Sequence, residues 1–172
     1  MTNPSKPSSE PERGQDGFDL AAYQDLARII ERMHRRFLDV IRIELGRLGI
    51  DDISPVQMLM LMTIGNDELS VRDLMERGYI LGSNASYNLK HLVEAGYVDR
   101  AASQRDRRAA RLRLSDKGHR IYEELQRIER MQVDALVRSE GDLEDLVATH
   151  RMLRRLERLW SDMIRYSDRS FE

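Results

Sequence analysis

The spacing of apolar residues changes period twice along this chain, and that double change limits the folds open to it. Leu26, Ile30, Met33, Phe37, Ile41, Leu45 and Leu48 step by threes and fours, one face of a long helix ended by Gly46 and Gly49. Ser54-Pro55 opens a second helix with proline at the tolerated first-turn position, and residues 56–64 are so apolar that this helix must be central. Ser70 can cap a short third helix, residues 71–77, stopped by Gly78. Gly82-Ser83 starts a fourth, which leaves through Ala95-Gly96 with glycine in the exit position. The period then drops to two. Tyr97-Val98 and residues 110–114 alternate like strands around the polar loop 103–108, which predicts a hairpin with a basic tip. From Ser115 the helical period returns through Ile121, Leu125, Ile128, Val133 and Leu136, breaks at Gly141-Asp142, and resumes from Leu143 to Ile164.

The expected fold is therefore mainly α with a small β-hairpin. Residues 54–118 form a helix-turn-helix with the hairpin appended. Residues 19–53 and 119–172 supply amphipathic helices too long to be covered by so small a middle, so they are expected to pair with each other and with a second copy of the chain. Residues 1–18 hold three of the four prolines among Ser, Gly and charges. Such a stretch cannot bury enough surface to offset its ordering entropy and is expected to be a disordered arm.

Composition excludes several classes of function. With 172 residues there is room for one domain or two small interdependent lobes. Lys and Arg total 28 against 30 Asp and Glu, a net charge of −2, which rules out a uniformly basic nucleic-acid coater. The absence of cysteine removes disulfide scaffolds, Cys-ligated zinc, Fe–S sites and thiol switches. No apolar run approaches the ~20 residues of a membrane helix and no signal-peptide core is present, so a soluble, cytoplasmic protein is expected. His34, His91, His119 and His150 fall one per element without metal-ligand spacing. The adjacent carboxylates Asp51-Asp52 and Glu144-Asp145 point to different faces, and helix-start charge explains them better than catalysis. There is no phosphate-cradling glycine loop, nucleophile elbow or His-centred triad. No catalytic residue, metal or cofactor is expected, and the chain does not read as an enzyme.

What remains is a surface for binding. On the fourth helix Ala85, Leu89, Leu92 and Val93 share one side, while Ser83, Tyr87, Lys90 and Glu94 point the other way, flanked by Asn84, Ser86 and His91. Neutral hydrogen-bonding groups, a tyrosine and one lysine at a helix N-terminus suit the major groove of a DNA duplex. At the hairpin tip Arg105, Arg107 and Arg108 crowd around Asp106, and Arg111 and Arg113 follow on alternate positions of the strand. Residues 82–118 carry +4 while the remainder of the chain carries −6. Positive charge is thus concentrated where a duplex would lie, with guanidinium forks able to hold phosphates or enter a narrow minor groove. Asp106 is suited to fixing a neighbouring arginine.

The stretch "LVEAGYVDR" followed by "SQRDRRAARLRLSDKG" resembles the MarR family of winged-helix transcriptional regulators. The family's wing element corresponds to Asp106-Arg107-Arg108, and the end of its next strand to Leu114-Ser115-Asp116-Lys117-Gly118. The resemblance covers about residues 20–166. It implies a homodimer on (pseudo)palindromic operator DNA, with the fourth helix in the major groove and the wing in the minor groove. By that match Ser83, Asn84, Ser86, Tyr87 and Lys90 become recognition-helix candidates, Arg107 and Arg108 wing candidates, and Ser70 and Arg72 phosphate contacts. The resemblance also implies a small lipophilic or phenolic effector held between the dimerisation and DNA-binding lobes. A repressor is the implied kind of regulator, although the residues do not separate repression from activation. Met58, Met60 and Met62 of the second helix and Met33 and Phe37 of the first could flank an effector crevice, but helical spacing explains them better as core. An alternative function from another class is a helical protein-interaction scaffold that keeps the winged-helix shape without touching DNA. The basic residues at Lys90, Arg107 and Arg108 count against it.

Overall fold

The structure, a computed structural model, describes residues 15–78, 82–102 and 110–168. Helix α1 (Gln15–Arg47) begins inside the segment assigned by composition to a disordered arm, so residues 15–18 are helical. Extending a helix already nucleated adds one hydrogen bond per residue fixed, which is why its start runs ahead of Leu26, the first residue of the stripe. It ends at Gly49, whose φ of 68° is the left-handed conformation that a side chain would strain. There Ile50 N–H donates to the Leu45 carbonyl at 2.9 Å and Gly49 N–H to the Gly46 carbonyl at 3.1 Å, a Schellman exit. Of the predicted α1 stripe only Ile41 and Leu45 are buried, whereas Met33 and Phe37 are exposed.

Helix α2 (Pro55–Ile64) is the hub of its unit, packed on α1 and on the elements that follow it. Met58, Met60, Leu61 and Ile64 are all at most 1% exposed, so Met58 and Met60 are core. A two-residue strand β1 (Leu69–Ser70) leads into α3 (Val71–Gly78), and α4 (Gly82–Glu94) follows. Strands β2 (Val98–Ala102) and β3 (Ala110–Leu114) form the expected hairpin. The sheet has three strands rather than two, in the antiparallel order β1-β3-β2. Leu69 pairs with Leu112 on one side of β3, and Val98 with Leu114 on the other. These four side chains are buried, while Asp99 and Arg113, also paired, face solvent.

The chain divides into two compact units at Ser115 and Asp116. The second holds α5 (Asp116–Leu136) and α6 (Glu140–Asp168). The break between them falls at residues 137–139, before the expected Gly141-Asp142. Ser139 starts α6: Asp142 N–H donates to its Oγ at 3.2 Å, and the Asp142 carboxylate accepts the backbone N–H of Ser139 and of Arg138, each at 2.9 Å. This reciprocal cap satisfies donors that a helix start leaves open, and Gly141 is simply carried into the first turn. Among the described residues no helix is long and apolar enough to cross a membrane.

Candidate nucleic-acid interface

The start of α3 is built around Ser70. Its Oγ accepts the Asp73 N–H at 3.1 Å and donates to the Asp73 carboxylate at 2.8 Å, and its own N–H donates to the same oxygen at 3.1 Å. Ser70 is half-buried and its hydroxyl is engaged in this cap, so it fixes the N-terminal turn from which Arg72 projects. Arg72 is exposed and pairs with Glu76 one turn on at 2.8 Å. The hydrogen bond and charge of Glu76 raise its already high pKa further.

Asp73 is held below the usual carboxylate value of 3.8 by the Ser70 hydroxyl and then by the Ser70 N–H. Asp142 is lowered likewise, first by the Arg138 N–H and then by Ser139. A folded pKa below the unfolded one gives stability that is present above the ordinary carboxylate value and is lost as pH falls through the folded one. The melting temperature of the parent is therefore expected to fall more steeply below about pH 4 than that of Asp73→Asn/Asp142→Asn. Identical acid profiles in a thermal melt series would remove both caps from the account.

α4 turns two chemistries in opposite directions. Ala85, Leu89 and Leu92 are buried, while Asn84, Ser86, Tyr87 and Lys90 are exposed, Tyr87 at 70%. Ser83 lies in the first turn, its side chain outside the described residues. Lys90 reaches Glu94 at 3.6 Å. The helix ends through Gly96 at φ 76°, with Tyr97 N–H donating to the Leu92 carbonyl at 2.9 Å. That exit delivers Tyr97 into the core, where its hydroxyl donates to Asp52 at 2.5 Å. One turn thus connects the exposed helix to the first strand of the hairpin.

On β3, Arg111 and Arg113 occupy the outer face. Arg113 pairs with Asp99 across the hairpin at 3.4 Å. Arg111 stands opposite Ser70 in the ladder, and its guanidinium reaches the Glu68 carbonyl at 3.4 Å. The base of the hairpin and the start of α3 therefore share one outer row, a link that sequence reading missed because two-residue β1 has no period. Arg105, Arg107 and Arg108, the tip candidates, lie outside the described residues. Sequence reading also passed over Gln57 and Asn88, which meet beneath α4. Gln57 Nε2 donates to Asn88 Oδ1 at 3.2 Å. The spacing Ser54-x-x-Gln57 was the available signal, since it marks a capping box. Among the described residues no group of three His, Cys, Asp or Glu could hold a metal ion.

Three antiparallel strands beside a helix-turn-helix, with the second helix of the pair presenting a polar face, define a winged helix-turn-helix protein. The family model described as MarR family matches residues 51–109. Over 153 residues the chain is 44% identical to the exopolysaccharide II synthesis transcriptional activator ExpG of Rhizobium meliloti (strain 1021), an alignment taking in 88% of this chain and 79% of the relative. Among solved structures, Streptococcus pneumoniae FabT in complex with DNA has a TM-score of 0.67 at 22% identity, over 82% of this chain and 99% of that one. BldR from Sulfolobus solfataricus has a TM-score of 0.63 at 22% identity, over 79% and 97%. The chain belongs to the MarR family and is a DNA-binding transcriptional regulator with the winged-helix fold.

Proposed function

We propose that this chain acts as a homodimer on a (pseudo)palindromic operator, each copy placing α4 in a major groove and the β2–β3 wing in the neighbouring minor groove. The observation that carries the reading is the outward face of α4, where Asn84, Ser86, Tyr87 and Lys90 are exposed over a buried Ala85-Leu89-Leu92 face. Asn84, Ser86 and Tyr87 have the hydrogen-bonding and apolar groups that address base edges. Ser83, in the first turn of α4, is assigned to a phosphate or a base, and Lys90 to a phosphate. Arg72 serves as a phosphate contact on the turn that Ser70 fixes, and Arg105, Arg107 and Arg108 serve in the wing. Pairing is supported by α6, where Leu143, Val147, Leu159, Met163 and Ile164 are at least half exposed along the length of the helix. Apolar surface on this scale at a helix marks an interface. A small lipophilic or phenolic effector shifting the spacing of the two α4 helices is the family-like mode of control. The relative ExpG, named as an activator, favours activation as the sense of the regulation.

Selection from a random duplex pool tests this reading. It is expected to enrich a twofold-symmetric sequence whose half-sites lie about one helical turn, roughly 34 Å, apart. No enrichment would favour the scaffold alternative. A single unrepeated site would remove the dimer geometry.

Two charge variants are informative on the enriched duplex. Arg107→Ala/Arg108→Ala is expected to weaken binding to all duplexes and to flatten the dependence of log affinity on log salt by about two per wing. Glu94→Gln releases Lys90 from its exposed partner, so affinity is expected to rise about two- to fivefold, the order of one surface ion pair. Equal affinities of parent and Glu94→Gln in a fluorescence titration would exclude Lys90 as a phosphate contact.

A further inference from the structure

The contacts of Gln57 go beyond capping a helix. Among the described residues it is the one polar side chain in the buried set, 6% exposed. Its Oε1 accepts the Ser54 N–H at 2.8 Å, while its own N–H donates to Ser54 Oγ at 3.2 Å. That box fixes which end of the amide faces the cap, so Nε2 is aimed outward from α2. It donates to Asn88 Oδ1 on α4, 31 residues further along the chain. Asn88 is half-buried, at the edge of α4 between exposed Asn84 and buried Leu92.

We infer that Gln57 and Asn88 are positioning residues for sequence discrimination, setting the rotation of α4 about its own axis without touching DNA. The inference rests on the reading of α4 as the recognition helix. Ala85, Leu89 and Leu92 hold α4 by apolar contact, which is non-directional and tolerates a small roll. A hydrogen bond loses strength steeply with angle and resists that roll. A roll of about 20° moves side-chain tips at the helix rim by about 2 Å, more than a base-edge hydrogen bond can follow. His91, one turn along, adds no such restraint through Nδ1, which is buried without a hydrogen-bond partner among the described residues. Phosphate contacts are less exacting than base contacts, so loss of the bridge lowers discrimination before it lowers general affinity.

The test compares Asn88→Leu, Asn88→Asp and the parent on two probes, the duplex that the parent enriches from a random pool and a shuffled duplex of equal length. Asn88→Leu removes the acceptor and leaves the Ser54–Gln57 cap intact. Its ratio of affinities for the two probes is expected to fall about tenfold, the order of one mismatched base pair, with shuffled-duplex affinity and salt slope unchanged within twofold. Asn88→Asp keeps an acceptor for Gln57 Nε2 and is expected to retain the ratio within threefold. Circular dichroism melts establish that each variant is folded, and Gln57→Leu, which approaches the bridge from the other side, should lower the ratio as Asn88→Leu does. An unchanged ratio in Asn88→Leu overturns the inference, as does a ratio lost equally in Asn88→Asp. A parent that does not discriminate between the probes refutes the recognition-helix reading instead, which separates the two failures.

Discussion

Leu112→Ala is expected to cost about 3 kcal/mol of stability and to lower the melting temperature by about 6–12 °C. Leu112 is fully buried at the middle of β3, the strand shared by both edges of the sheet. It faces Leu69 of β1 on one side and stands opposite Arg100 of β2 on the other. The same strand packs on α2 and α3, so removing its side chain opens a cavity where four elements meet. Surrounding groups cannot collapse into that space without breaking the ladder, which places the cost in the middle of the range for a buried Leu→Ala change. Arg113→Ala is the control on the opposite face of the same strand. It removes only an exposed ion pair with Asp99 and is expected to change stability by less than about 1 kcal/mol. Urea unfolding at one fixed protein concentration measures both. A loss below 1 kcal/mol for Leu112→Ala would mean that the core does not close on β3.

Much of this arrangement was legible because periodicity reports what must be buried. The alternation of residues 110–114 gave β3 with its bounds, and the three-and-four spacing of α4 separated Leu89 and Leu92 from Tyr87 and Lys90. Periodicity does not report which element does the burying. The α1 stripe was legible, yet Met33 and Phe37 are exposed because nothing among the described residues of their own unit covers that part of the helix. Short features carry no period at all. Leu69–Ser70 became a strand because β3 has a free edge and Leu69 is drawn under it, a reason found in the tertiary structure alone. The α5–α6 break falls ahead of Gly141-Asp142 because a serine cap starts a helix more firmly than a glycine ends one, and Ser139-x-x-Asp142 supplies that cap. On the candidate site, the exposed residues of α4 were in view from the sequence. The Gln57–Asn88 bridge was not, because a contact across 31 residues leaves no local pattern.

In the proposed dimer the largest functional effect belongs to α6, far in sequence from the DNA-facing residues. Met163 and Ile164 are 59% and 62% exposed, so most of the surface changed by replacing both with aspartate is open to solvent in the protomer. In a twofold interface the same substitution enters from both sides, placing four carboxylates where apolar surface was to be buried. Each such side chain contributes about 1.5–3 kcal/mol when fully buried, and unpaired carboxylates add a desolvation penalty. Met163→Asp/Ile164→Asp is therefore expected to sediment as a monomer at micromolar concentration while keeping its helical circular dichroism. Its affinity for the symmetric duplex is expected to fall at least about a thousandfold, because one half-site supplies only part of the specific binding free energy and leaves affinity near the non-specific range. Its affinity for a shuffled duplex should fall much less. A variant that stays dimeric would place the interface elsewhere than on this part of α6. A monomer that still binds the symmetric site as tightly as the parent would show that the spacing of two α4 helices is not what reads the operator.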